Sequence, residues 1–128
     1  MKHDSGDEQA LVKIQHDWAE ARLKSDNSFP KRIEADDFTV VWFDGKIVNK
    51  EKDVKTYESD DATFTEFNID DLKVRLSETR QLLLDRDPIK AHTKTQDLSG
   101  QYLWTDTFVK MRGEWKAVAS QVTPVLEK

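Results

Sequence analysis

The sequence has no cysteine. That excludes disulfides, thiolate nucleophiles and cysteine-ligated zinc. It has only His3, His16 and His92, scattered without metal-ligand spacing, so no metal is expected. Glycine and proline are scarce and nowhere gather into a linker, so residues 1–128 read as a single domain. No apolar run approaches the ~20 residues of a membrane span. The opening Met1–Glu8 is polar and unlike a signal peptide, which points to a cytoplasmic protein; a mature form with its leader removed would look the same. An excess of positive charge is also missing. The net charge is −5, and an acidic balance disfavours nucleic acid and anionic membranes, both of which need basic patches. There is no phosphate loop, nucleophile elbow or dinucleotide fingerprint, so no cofactor is expected.

What the chain does have is aromatic mass. Four Trp and six Phe must be buried, which calls for one real core beneath a polar surface. The local patterns place that core. Ser5 and Glu8 fit a capping box. Behind them Leu11, Ile14, Trp18 and Ala21 recur at helical steps, ending near Ser25–Asn27. Ser28 is positioned to cap a short second helix with Pro30 in its first turn. Phe38–Phe43 is β-branched and aromatic and reads as a strand. Asp44-Gly45, followed by Lys46-Ile47-Val48, reads as a hairpin whose two turn residues both need positive φ. Asn49 caps a third helix, Lys50–Ser59, with Val54 and Tyr57 inward, and Ser59–Asp61 is a loop.

The second half reads as four long strands. In Thr63–Leu76 the apolar phase slips by one at Asp70-Asp71, which predicts a β-bulge and a bend. Arg80–Leu84 begins the next strand, and Pro88 limits its pairing or marks an edge. Leu98–Arg112 alternates, with Tyr102, Trp104, Asp106 and Phe108 on one face and Leu103, Thr105, Val109 and Met111 on the other. Gly113 turns the chain into a last strand, Glu114–Val122, which Pro124 ends. The expected class is α+β: a cone-shaped barrel in which three helices from the N-terminal half pack on a strongly bent, mostly antiparallel sheet.

The order of elements and several strings resemble the nuclear transport factor 2-like superfamily, and within it the small bacterial polyketide cyclase (SnoaL-like) and ketosteroid isomerase-like group. The strings are Asp17-Trp18-Ala19-Glu20-Ala21, Ala35-Asp36-Asp37-Phe38, Phe43-Asp44-Gly45-Lys46, Tyr102-Leu103-Trp104-Thr105-Asp106 and Arg112–Ser120. The resemblance implies the fold over nearly the whole chain, but not a reaction, because one fold hosts many activities. In ketosteroid isomerases a Tyr on helix one and a protonated Asp on a late strand hold the oxyanion, and an Asp after the first strand is the base. Trp18, Asp106 and Trp42 fall at those places. An indole cannot abstract a proton, so isomerase chemistry by that arrangement is not expected.

Asp106 is the candidate acid, since a carboxyl among Trp104 and Phe108 would be desolvated and its pKa raised. The alternative is a structural Asp bonded to its neighbours. His92 is a candidate base, by analogy with the His–Asp pair of related dehydratases; its polar surroundings, Lys90–Gln96, equally describe a surface His. Trp18, Trp42, Tyr57, Trp104, Phe108 and Ser120 are candidate ligand contacts, although burial in a core is the commoner role of any single Trp. Arg75 and Arg86 either reach inward to a carboxylate or are solvated. The Asp doublets lack calcium-loop spacing.

Two functions remain open. One is a small-molecule pocket, enzyme or binder, for an apolar or aromatic compound; an enzyme would do cofactor-free acid–base chemistry such as isomerisation, dehydration, cyclisation or hydrolysis. The other is a non-catalytic homodimeric binding or scaffold module, motivated by the apolar outer face of the sheet. A homodimer through that face is expected under both. A solvent-reaching cavity of roughly 300 Å³ favours the first, and a filled cone the second.

Overall fold

The structure is a computed structural model and describes residues 5–58 and 62–126. The expected Ser59–Asp61 loop, and the side chain of the expected Ser5 cap, lie outside the described residues. Helix α1 (Ser5–Lys24) runs first. It presents Leu11 and Ala21 to the core, with Ile14 and Trp18 half-buried on the same face. Helix α2 (Ser28–Ile33) follows, with Phe29, Pro30 and Ile33 buried. Its cap is not Ser28 as expected. Asn27 stands at that position without a side-chain cap, and the Ser28 N–H donates to Asp26 instead.

Strand β1 (Glu34–Val41) begins four residues earlier than the aromatic run suggested, and β2 (Ile47–Asn49) pairs with it antiparallel. The hairpin between them is a three-residue loop, not the expected two-residue one. The Gly45 N–H donates to Trp42 O, the Trp42 N–H to Lys46 O, and in that loop only Gly45 is left-handed, at φ 85°. That is a type I turn closed by a glycine bulge. Asn49 does cap helix α3 (Lys50–Thr56), its side chain accepting the Lys52 N–H at 3.0 Å.

The expected strand over Thr63–Leu76 is split into β3 (Thr63–Phe67) and β4 (Asp70–Arg75), both paired with β5 (Gln81–His92). Asp71 is left-handed and the register shifts beside it, so the bulge lies where the phase slip placed it. Pro88 stands opposite the break. Its carbonyl accepts the Asn68 N–H, and a strand residue points its N–H and C=O to the same side, so the donor proline lacks would have faced the gap. Proline therefore sits in an interior strand and not at an edge.

Strands β6 (Gly100–Met111) and β7 (Glu114–Pro124) complete the sheet in the order β2-β1-β7-β6-β5-β3, with β4 also on β5. Only β1 and β7 are parallel. The β6–β7 turn has positive φ at both Arg112 and Gly113, the primed two-residue geometry. The architecture is thus three helices against a curled, mostly antiparallel seven-stranded sheet, as expected from the patterning.

The core lies where Leu11, Phe38, Leu83 and Phe108, each at most 1 % exposed, meet between α1 and the sheet. Phe108 packs its ring edge-on to Trp18 at 6.2 Å. Replacing Phe108 by Ala should lower the unfolding free energy by about 3–5 kcal/mol in urea denaturation. A loss below about 1 kcal/mol would mean that this contact does not hold helix α1 on the sheet.

Candidate functional site

Strand register builds the site. On the inner face Leu83, Asp106 and Ser120 lie side by side across β5, β6 and β7, and Asp85, Trp104 and Val122 form the next row. Asp87 follows on β5 at the same phase. Helix α1 covers these rows, turning Gln15, Trp18, Ala19 and Arg22 into the cone. Trp42, Tyr57 and Phe67 add aromatic walls. The space open to the centres of water-sized molecules is about 40 Å³. That is room for about three waters, far below the ~300 Å³ of a drug-sized ligand site, so the volume goes against a drug-sized ligand and favours the filled cone of the scaffold reading.

The polar atoms form one connected set. The Gln15 amide donates to Asp85 Oδ1 at 3.1 Å and to Asp106 Oδ2 at 2.7 Å. Ser120 donates to Asp106 Oδ1 at 2.5 Å. Trp18 donates its indole N–H to the Tyr57 hydroxyl at 2.5 Å. Arg22 lies over the Tyr57 ring at 3.6 Å, donates to Thr56 Oγ1 at 2.9 Å, and stands 3.7 Å from Asp53.

Burial raises the carboxyl pKa values, because it penalises the charged form. For Asp106 the value is pushed up to about 7, with the Asp85 charge adding to burial and the Ser120 and Gln15 hydrogen bonds opposing it. For Asp87 it is pushed up to about 10, by burial first and then by Asp85. Asp85 is also raised by burial, against the hydrogen bonds from Asp87 and Gln15. Two carboxyls in contact share a hydrogen bond only if one keeps its proton; Asp87 keeps it and donates to Asp85. At the Arg22 end of the same cavity, whose lining includes Asp53, a second pair, Glu34 and Asp53, repeats the pattern, with Glu34 pushed up to about 11 by burial and by Asp53.

No protein-family model matches this sequence. No curated protein matches it either. Solved structures do match, along nearly the whole chain. A nuclear transport factor 2-like protein from Cytophaga hutchinsonii superposes with a TM-score of 0.86 at 18 % identity, over 92 % of this chain and 98 % of its own. A proposed calcium/calmodulin-dependent kinase II association domain from Exiguobacterium sibiricum gives 0.84 at 15 % identity, over 100 % and 99 %. A proposed dehydratase of the same fold family from Streptomyces avermitilis gives 0.81 at 12 % identity, over 98 % and 100 %. The fold is the nuclear transport factor 2-like fold. At these identities the likeness carries the fold and no reaction.

Within this nuclear transport factor 2-like cone, the residues singled out from sequence are distributed unevenly. Trp18, Trp42, Tyr57, Trp104, Asp106 and Ser120 all line this cavity. Phe108 does not; it is fully buried behind Trp18, as core. His92 does not pair with Asp106. It is exposed on the outer phase of β5, nine residues past Leu83, the residue opposite Asp106. That separation is about 30 Å along the strand. Arg75 and Arg86 are also exposed, and Arg86 donates to Gln101.

Sequence reasoning missed Gln15, Arg22, Asp85 and Asp87. The signals were present: Gln15 and Arg22 flank Trp18 on its helix face, and Asp85 and Asp87 keep the phase of Leu83 and Ile89. Their polarity hid them.

A carboxyl whose pKa is raised by folding holds a proton that the unfolded chain releases near pH 4. Its stabilising contribution is therefore complete below pH ~4 and is lost as pH rises toward the folded value, about 7 for Asp106 and about 10 for Asp87. Each such proton tilts stability by about 1.4 kcal/mol per pH unit. The unfolding free energy should thus fall between pH 5 and 8, and Asp87→Asn, which keeps the neutral shape, should flatten the slope and raise stability at pH 8. Stability that rises with pH over this range would contradict the assignment.

Proposed function

We propose that this protein is a small-molecule pocket protein whose buried carboxyls transfer protons, without a cofactor. The observation that carries the reading is that four carboxyls, each at most 3 % exposed, line an aromatic-walled cavity, three of them, Asp85, Asp87 and Asp106, together at its Gln15 end and Asp53 beside Arg22. Packing alone gains nothing from them, since apolar side chains of similar size would be the more stable filling. Environments that push neighbouring carboxyls to different pKa values separate an acid from a base. Here Asp87 is the neutral donor held against Asp85, and Asp106 is poised near neutrality to take and return a proton. The chemistry such a set supports is enolisation, dehydration or water addition on a substrate of few heavy atoms. Trp42 and Trp104, edge-to-face at 6.1 Å, would flank its apolar part.

The test is exchange of carbon-bound hydrogen in D2O, followed by NMR over a panel of small carbonyl compounds. Exchange should follow an apparent pKa near 7, and Asp106→Asn should slow it by about 10²–10⁴-fold. An Asn variant as fast as the parent would end the proposal.

We also propose a homodimer through the outer face of the sheet. Leu84, Leu103 and Met111 are 40 %, 36 % and 41 % exposed there, and Thr105 and Val109 lie between them. These apolar groups share the face with Arg86, Gln121 and Lys116, and their exposure on one side of the sheet is the reason for placing an interaction surface there. Light scattering at micromolar concentration should report about twice the 14.9 kDa chain mass, and Leu103→Glu should halve it. A monomer in the parent chain would refute the dimer.

A further inference from the structure

The cavity holds more hydrogen-bond acceptors than donors. Gln15 is 5 % exposed, and its amide N–H is committed to Asp85 and Asp106, while its Oε1 receives no hydrogen bond. Asp87 is 1 % exposed, and its Oδ1 likewise receives none. The Ser120 hydroxyl already donates to Asp106. Arg22 is committed to Thr56 and Asp53, and sits seven residues further along α1, about 10 Å away. The Trp104 indole N–H is the one unpartnered buried donor side chain among the described residues. Two acceptors on residues that line the cavity, Gln15 Oε1 and Asp87 Oδ1, are therefore left without a donor, and the shortage at this end is of N–H groups. The unpartnered Gln15 oxygen is a neutral amide, so this is not a matter of acidic residues alone.

The walls ask for the same thing. Trp104 meets Trp42 edge-on at 6.1 Å and Phe67 at a tilt at 6.0 Å, and aromatic rings attract cations, as the Arg22 guanidinium 5.6 Å from the Trp42 ring already shows. A bare metal ion fits poorly, because no group of three His, Cys, Asp or Glu among the described residues has the geometry to hold one. A compact organic cation fits the volume, the rings and the acceptors together.

We propose that the ligand is a small primary alkylammonium, its three N–H groups on Gln15 Oε1, Asp87 Oδ1 and the Asp85 carboxyl, and its alkyl part against Trp42, Trp104 and Phe67. This rests on the small-molecule pocket reading above and names its substrate class. It replaces the neutral apolar or aromatic ligand that the Trp residues alone suggested. A cation arriving beside protonated carboxyls drives a proton off. The groups facing Asp87 are Asp85 on its own strand, Asp106 on β6 and Asp70 on β4. His16 on α1 acts on Asp85, and Asp53 on α3 acts on Asp106. The acidic groups outnumber the one histidine, so a cation is drawn in and a proton is expelled.

The experiment is isothermal titration calorimetry of the full chain with n-propylammonium chloride and with 1-propanol, its neutral isostere. Each is titrated at pH 6 and pH 8, in two buffers of different ionisation enthalpy. The ammonium should bind with release of about one proton, and about tenfold or more tighter at pH 8 than at pH 6. 1-Propanol should bind at least tenfold more weakly, without proton release. At pH 8, where Asp106 is already ionised, Asp87→Asn should abolish the release, and Gln15→Leu should weaken the ammonium selectively. If 1-propanol binds as tightly as the ammonium, the cation proposal fails and the pocket reading stands. If neither binds, or if the ammonium binds both variants as it binds the parent, the proposal fails; silence from both probes counts against the pocket as well. The comparison of isosteres on the parent chain decides the matter even if a variant does not fold.

Discussion

The Gln15 amide bridging Asp85 and Asp106 is the contact on which the interior depends. Carboxyls on the inner face of a sheet are tolerable only if something donates to them or if they keep their protons. Gln15 supplies the only helix-borne side-chain donor to these two among the described hydrogen bonds, and Ser120 supplies one from the neighbouring strand. With only those two donors for three carboxyls, the remaining demand is met by protonation, at Asp87 above all. The raised pKa values are thus a consequence of donor scarcity under burial and not of a dedicated charge relay.

The same scarcity links stability to use. An interior of Leu and Val in these positions would fold more securely. Instead the chain carries two carboxyl pairs, Asp85 with Asp87 and Glu34 with Asp53, inside one small domain. The aromatic residues compensate. Trp18 touches the rings of Phe29, Phe38 and Phe108, all within 6.4 Å, and so closes the core beside the polar set. Trp42 and Trp104 do the same at the other end. The cavity is small because these rings fill the cone, and it is polar because the rows behind them are.

Curvature brings the parts together. The left-handed Asp71 and the gap opposite Pro88 break the edge strand into β3 and β4, and that break lets the sheet curl toward α1. Phe67 sits at the break and lines the cavity beside Trp104. A strand paired without interruption along β5 would not bend there.

Local physics was enough for much of this. The 3.6-residue stripe of α1, the Asn49 cap, the phase slip at Asp70-Asp71 and the alternation of Leu98–Arg112 each report a short-range preference, and each is found in the structure. The alternation also put Trp104 and Asp106 on one face, and both line the cavity. One turn was misread for an equally local reason. Asp44-Gly45 has the composition of a primed turn, yet Phe43 joins the loop; the primed geometry occurs at Arg112-Gly113. What sequence alone determined was therefore which faces turn inward. What only the tertiary structure decided was which polar residues ride on those faces at a shared depth. Gln15, Asp85 and Asp87 look like surface residues until β5 is paired on both sides and covered by α1, because burial belongs to the whole packing and not to the residue. His92 shows the converse: its chemistry suited a base, but strand register carries it to the far end of β5 and out into solvent.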